Sequence, residues 1–261
     1  MSSIEKRGPW QIWKDVIFAL FAREIKTGFN DKFGISWAIL NPLLFIFMLS
    51  FIRGRMDGGL THTMPTFVFM AYGMLLIQSF LDGLNKAGSA IKKAKPLFAF
   101  RQVQPISAVI ASAMFSLMVK TFVIIGIYVA MYFLKMEIRI DEPLDMIWNL
   151  VAITVFANSL GLIAAISESF IPELSKVRGL LTRPLFFISG VFFSLQDIPR
   201  EYWWLFNWNP ILNCIELTRQ SAYHTYGAEG VSNFYVFACV ISSVFFALFY
   251  YQGVWKQAVS R

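Results

Sequence analysis

The stretch FISGVFFSLQDIP at residues 187–199, followed by YWW at 202–204 and NP at 209–210, is the most informative part of this sequence. It joins an apolar run, a proline break and a dense patch of aromatic rings. Such a stretch is too interrupted to cross a bilayer as one helix and too apolar for an ordinary surface loop. We therefore expect it to dip into a membrane and to shape a passage there.

The composition also favours a membrane protein, because 57% of the 261 residues are hydrophobic and only 15% are charged. The mean hydropathy is +0.57, and a soluble domain of this size cannot bury so much apolar surface. Apolar segments lie at 33–52, 61–81, 103–134, 146–167, 184–196 and 231–255. A span needs about 20 residues, which 184–196 reaches only if residues 180–183 extend it.

These segments predict an all-α integral membrane protein with six transmembrane helices. Two short re-entrant helices are expected before the last span, in an outer segment at about 197–230. Residues 1–32 are expected to form an N-terminal interfacial helix, 33–255 the transmembrane domain and 256–261 a cytoplasmic tail. An inner loop is expected at about 83–105.

Charge sets the expected orientation. With both termini inside, most of the 23 Lys and Arg residues fall in cytoplasmic segments, as the positive-inside rule requires. The net charge of +7 is therefore explained by topology, and we expect no nucleic-acid partner.

The N-terminal segment has an amphipathic pattern. Pro9 suits the first turn of a helix, and one face then collects Trp13, Val16, Ile17 and Leu20. Trp10 and Trp13 are expected to anchor this helix at the inner leaflet. The pattern leaves two interpretations open, a plain membrane anchor and a gate or ATPase contact.

The inner loop carries the run KAGSAIKKAKP at 86–96, followed by LFAFR at 97–101. We predict a short helix that ends near Pro96 and presents Lys92, Lys93 and Lys95 to the cytoplasm or to lipid phosphates. The lysines are either a topology signal alone or part of a surface that fits a cytosolic partner.

Aromatic rings crowd the outer segment, at Phe192, Phe193, Tyr202, Trp203, Trp204, Phe206 and Trp208. They are either a belt at the membrane surface or a stacking surface for sugar rings. In the second interpretation Tyr202, Trp203, Trp204 and Trp208 line the outer mouth of a glycan path.

Local signals predict the two re-entrant helices. Ser194 and Asp197 can cap a short helix that Pro199 helps to start. The pair NP at 209–210 then breaks it, and residues 211–220 can form a second helix. Glu216 and Arg219 share one side of that helix; they are candidates for the path, or a surface pair worth only a few tenths of a kcal/mol.

Lys120 is the charge that stands inside a predicted span. An unpaired ammonium there is costly, so a partner acid or a wet channel is expected beside it. We expect Lys120 to face the conduit or a dimer interface, where an anionic polymer could use it.

No catalytic machinery is expected in this chain. Gly54 and Gly59 have the spacing of a phosphate-binding loop, but Leu60 follows where a lysine is required. No acidic cluster with metal-ligand spacing lies on a membrane segment. The chain is therefore expected to be a non-catalytic subunit without a metal or cofactor of its own.

The pattern F-x-S-G-x-F at 187–192, Pro199, NP at 209–210 and E-x-x-R at 216–219 resembles the signature of ABC-2 type permeases. The Trp-containing N-terminal helix and the Lys-rich loop ending in RQVQP at 101–105 resemble the capsular-polysaccharide export subset, the KpsM type of the Wzm-like permeases. This resemblance extends over essentially the whole chain.

The resemblance implies a homodimer with two copies of a cytosolic ATPase, which would bind ATP and Mg²⁺. Its substrate would be a lipid-linked, acidic capsular polysaccharide, passed from the bacterial inner membrane to a periplasmic adaptor and an outer-membrane channel. The segment 91–100 would couple to the ATPase, through Ile91, Lys92, Lys93, Lys95, Pro96, Phe98 and Phe100. The alternatives are export of O-antigen, teichoic acid, lipid or drug, and a membrane-embedded glycan or prenyl transferase.

Overall fold

A computed structural model of the protein describes residues 8–28, 34–56 and 59–260. Its helices are α1 at Pro9–Gly28, α2 at Gly34–Met56, α3 at Thr66–Ala94, α4 at Pro105–Phe133, α5 at Pro143–Phe170, α6 at Leu174–Ile188, α7 at Pro210–Ala222 and α8 at Asn233–Ser260. Two short antiparallel strands, β1 at Leu60–Thr61 and β2 at Met64–Pro65, precede α3. The described part of the chain is all-α apart from this hairpin.

Proline marks the start of four helices, at Pro9, Pro105, Pro143 and Pro210. Its missing N–H and fixed φ suit the first turn. At α7 the side chain of Asn209 also accepts a hydrogen bond from the Ile211 N–H at 3.0 Å. The helix predicted over residues 211–220 is therefore confirmed, as α7.

Four helices in the described residues have the length and apolarity to cross a membrane: α4, α5, α8, and α3 together with the turn after it. The membrane class of the fold is thereby supported, and the count of six spans stays a prediction. Helix α6 has only 15 residues, and residues 189–194 after it are not helical. The segment 184–196 is therefore not one continuous helix.

Helix α3 is the centre of the bundle. Its first half joins α5 and α7 in one hydrophobic core, which contains Phe69, Phe80 and Ile215. Its second half joins α1, α4, α5 and α8 in another, which contains Leu20 and Ile91. We call the side where α3 begins the aromatic end of the bundle, and the side where it ends the basic end.

The separate helix predicted near Pro96 is not present as such. Instead α3 runs on to Ala94 and passes into a 3-10 turn at Lys95–Ala99. Residues 82–94 contain no proline, and their Leu, Lys and Ala residues favour a helix despite Gly83 and Gly88, so no proline stops α3 before Pro96. At its other end α3 begins at Thr66, because residues 60–65 form the hairpin and not the start of a span.

The first predicted re-entrant helix is also different. Residues 195–205 form two 3-10 segments, Leu195–Asp197 and Arg200–Leu205. Pro199 separates them, and the residue before a proline is restricted to extended backbone, as Ile198 is here with φ −105° and ψ 134°.

Both termini of the chain extend past what is described. The predicted interfacial segment is 1–32. Helix α1 of this segment is described, whereas its residues 1–7 and 29–32 lie outside the described residues. Helix α8 continues to Ser260 and so includes most of the predicted tail at 256–261. Arg261 lies outside the described residues.

Candidate functional site

A charged pair lies buried in α7 at the aromatic end. Glu216 Oε1 and Arg219 Nη1 are 3.1 Å apart, and both side chains are completely enclosed. The alternative of an exposed surface pair is therefore wrong. Because both charges are desolvated, removing either one would leave an uncompensated charge in the interior.

The guanidinium of Arg219 joins α7 to two other segments. It donates to the carbonyl oxygens of Phe69 on α3 at 3.2 Å and of Val191 after α6 at 3.1 Å. It also lies 3.4 Å from the centroid of the Phe69 ring. Gly73 makes room for it, since a Cβ there would lie 2.8 Å from Nη2.

The carboxylate of Glu216 accepts hydrogen bonds from Tyr226 at 2.7 Å and from Ser194 at 3.1 Å. Burial is the main cause that raises the pKa of Tyr226, which keeps its hydroxyl protonated as a donor. We call Ser194, Glu216, Arg219 and Tyr226 the sealed network. Sequence reasoning used Ser194 only as a cap and missed Tyr226, for which no local pattern exists.

The sealed network supports the loop that carries the aromatic rings. Ser194 and Asp197 form the predicted capping box, now around a 3-10 turn. Asp197 is also 2.7 Å from His62 of the β1–β2 turn. At the other end of the loop, Tyr235 donates to the Trp208 carbonyl oxygen at 2.6 Å.

The four predicted path aromatics fall into two groups. Trp203 is half-buried, and its indole N–H donates to the Ile198 carbonyl at 2.8 Å. Its ring leaves room only for a glycine at Gly230, where a Cβ would lie 2.6 Å from Cε3 and φ is +76°. Tyr202, Trp204 and Trp208 are instead exposed, by 53%, 70% and 61%. These three form the exposed aromatic surface.

Lys120 of α4 has the partner acid that its position required. Its ammonium lies 2.7 Å from Asp82 Oδ2 of α3, and the exposed fraction is 6% for Lys120 but 48% for Asp82. Sequence reasoning missed Asp82 because it ended the second span at residue 81. The pair is therefore reachable from one side, unlike Glu216 and Arg219.

The predicted coupling residues cluster at the basic end. Ile91 is buried, Phe98 is half-buried, and the others are exposed, namely Lys92, Lys93, Lys95, Pro96 and Phe100. Part of this set lines a cleft of about 230 Å³ between the end of α3 and the turn after α5. Beside it Arg178 of α6 binds Glu168 of α5 at 2.6 Å and Asn85 of α3 at 2.5 Å.

The predicted interfacial anchors lie at the start of α1. The rings of Trp10 and Trp13 stack with centroids 5.0 Å apart, and Trp10 is 63% exposed. Further along, Ile17 and Leu20 are buried, and Leu20 belongs to the core that α1 shares with α3 and α4. Helix α1 is therefore docked on the bundle by its apolar face.

The described residues hold no group of three His, Cys, Asp or Glu side chains that could bind a metal ion.

The model of the ABC-2 type transporter family matches residues 15–223. The chain is 32% identical to the polysialic acid transport protein KpsM of Escherichia coli, over 94% of this chain and 96% of that protein. It is 30% identical to the capsule polysaccharide export inner-membrane protein BexB of Haemophilus influenzae, over 78% and 77% of the two chains. The corresponding protein CtrC of Neisseria meningitidis serogroup B is 28% identical, over 76% and 77%.

The matched region contains Ser194, Glu216 and Arg219 of the sealed network, the loop that carries the aromatic rings and the basic end of α3, and it covers most of the chain. The chain therefore belongs to the ABC-2 type transporter family.

Proposed function

We propose that this chain is the permease subunit of an ATP-driven exporter of lipid-linked, acidic capsular polysaccharide. The observation that carries the proposal is the exposed aromatic surface, held by the sealed network at one end of a bundle of membrane-length helices. Sugar rings stack on such rings through their CH faces, and stacking tolerates the sliding that a polymer needs. The names of relatives that match over most of the chain point to the same substrate class.

The proposed setting is the bacterial inner membrane, with both termini cytoplasmic. Helix α2, and α6 together with the non-helical residues 189–194 after it, would then complete six spans, with the 3-10 segments and α7 as the re-entrant part. The 23 residues of α2 would reach about 34 Å at 1.5 Å per residue, which exceeds the hydrocarbon core. This topology places the aromatic end in the periplasm.

Energy would come from a separate ATPase that binds ATP and Mg²⁺, since the sequence contains no phosphate-binding loop. We propose that two copies of it dock at the basic end of a homodimer, against the exposed lysines and Phe100. The polymer would leave through a periplasmic adaptor and an outer-membrane channel.

The function is tested by removing the chain from its host and locating the polysaccharide by fractionation and by labelling of intact cells. Export predicts full-length, lipid-linked polymer trapped inside the cell. Polymer absent from every fraction would contradict the proposal and would favour the transferase alternative.

The role of the aromatic rings is tested by two variants. Y202A/W204A/W208A removes exposed rings only, so export should fall at least about tenfold while the protein stays folded. Trp203→Ala removes a half-buried ring and should instead lower the free energy of unfolding, by less than the about 3–5 kcal/mol that losing a fully buried aromatic side chain costs. Normal export by the triple variant would mean that these rings are only a membrane belt.

A further inference from the structure

A second cleft, of about 240 Å³, lies near the basic end between α1, α3 and α4. Its lining includes Glu24 and Thr27 of α1, Lys86 and Lys93 of α3, and Ser112 and Phe115 of α4. It is separate from the cleft at Lys92 and Lys95 and from the aromatic surface, and it shares Lys93 with the predicted coupling residues.

The charges of this cleft do not cancel. Glu24 is bound to Arg23 at 3.1 Å, and Asp82, beyond the cleft, is bound to Lys120 at 2.7 Å. Lys86 and Lys93 have no ion-pair partner in the part of the chain that the structure describes. Two ammonium groups therefore remain in excess.

Lys86 is held inside this cleft. Its side chain is only partly exposed, and its ammonium lies 5.3 Å from the centroid of the Phe115 ring. Ser112, which is buried, adds a hydroxyl to the lining, and the hydroxyl of nearby Ser116 is buried without a hydrogen-bond partner. The cleft thus offers two cations and a buried hydroxyl, and its one carboxylate, Glu24, is already paired with Arg23.

We infer that this cleft binds the phosphate group of a membrane lipid. Two free ammonium groups with hydroxyl donors match the charge and the acceptor oxygens of a phosphate. Lys86 lies eight residues before the end of α3, about 12 Å along the axis, so its long side chain can reach the headgroup layer. Acyl chains would then lie along the apolar exterior of the helices.

Two lipids could supply this phosphate. One is an ordinary phospholipid of the inner leaflet. The other is the lipid anchor of the transported glycan, if it carries a phosphate; this choice rests on the proposed function, whereas the site itself does not.

The test measures binding of dioctanoyl phosphatidylglycerol to the purified full-length chain in a neutral detergent, with dioctanoylglycerol as the ligand without phosphate. K86Q/K93Q should weaken phosphatidylglycerol binding at least about tenfold, because two charge-assisted contacts are lost. K14Q/K176Q removes two exposed lysines elsewhere and should change it less than about twofold, as exposed charges contribute little. Dioctanoylglycerol should bind weakly to all three proteins.

If K86Q/K93Q does not fold, the exposed Lys93→Gln alone should still weaken binding by about threefold. Equal binding by wild type and a folded K86Q/K93Q, or equal loss in K14Q/K176Q, would overturn the site whether or not the chain exports polysaccharide. In cells, trapped lipid-linked polymer in Lys86→Gln, which keeps the coupling residue Lys93, assigns the site to the glycan anchor. Normal export with lost phosphatidylglycerol binding assigns it to an ordinary phospholipid.

Discussion

Two ion pairs of this bundle differ in what surrounds them. Glu216–Arg219 lies within α7, whereas Lys120–Asp82 joins α4 to α3. The first is fully enclosed and has further hydrogen bonds from Ser194 and Tyr226 and to backbone carbonyls. The second leaves Asp82 about half-exposed. We expect the enclosed pair to hold segments together, whereas the open pair remains reachable by water or an anion. The residues of the two pairs are therefore expected to have different roles, although the sequence gives no sign of the difference.

The largest expected effect is on the enclosed pair. Arg219→Met leaves the Glu216 carboxylate buried without its cation, which costs about 3–5 kcal/mol. The double variant E216L/R219M removes both charges and should be less destabilised than the sum of the two single variants. Thermal unfolding of the four purified proteins measures this coupling. Additive effects would mean that the pair is not desolvated.

Tyr226→Phe should have the next largest effect and lower the free energy of unfolding by about 1.5–3 kcal/mol, because a hydrogen bond to the buried Glu216 carboxylate is lost. The same melting measurement applies. Tyr202→Phe removes a hydroxyl from an exposed ring and should leave the melting temperature unchanged. Equal loss in both variants would contradict the sealed network.

Substitutions in the open pair Lys120–Asp82 should change stability less, and export more, than those in the enclosed pair. Asp82→Asn leaves the Lys120 ammonium without its acid and should destabilise more than Lys120→Met, which removes the buried charge. Water at Asp82 screens the pair, so Lys120→Met should cost less than about 1 kcal/mol. We expect Lys120→Met to reduce export nevertheless. Normal export and assembly would exclude a role of Lys120 in the conduit.

The smallest effect is expected at a pair on the surface, Arg139–Asp141, whose atoms are 2.9 Å apart and whose side chains are 43% and 16% exposed. A hydrogen bond from the His224 backbone N–H and one from Arg139 lower the pKa of Asp141. Because the pKa of Asp141 is lower in the folded state, its ionised form stabilises the fold at a pH above the ordinary pKa of about 3.9. This stabilisation is lost as the pH falls through the folded-state pKa. Wild type should therefore exceed Asp141→Asn in melting temperature at pH 7 and converge with it in strong acid.

The sequence predicted parts of the fold where local chemistry decides it. Asn209 and Pro210 gave the start of α7, and Ser194 with Asp197 gave a capping box that the structure contains. The prediction was wrong near Pro96, where the residues allow either a separate loop helix or a longer α3. The lysines near Pro96 favoured a loop helix, but helix-forming residues continue α3 to Ala94.

The sites were harder to predict because they depend on contacts between distant segments. An i, i+3 pair such as Glu216 and Arg219 is usually a surface pair, and only packing against Phe69 and Val191 encloses it. Trp203 and Trp204 are neighbours in sequence, yet one is packed and the other is exposed. Asp82 was missed because hydropathy falls at the residue where the span was taken to end.

The central claim is that the exposed aromatic surface contacts the glycan during export. It is tested most directly by a photo-crosslinking amino acid at Trp204 in cells that make the polysaccharide, with Phe246 of α8, which is 62% exposed, as a matched control. We expect polymer crosslinked to position 204 and only lipid crosslinked to position 246. Lipid alone at both positions would contradict it.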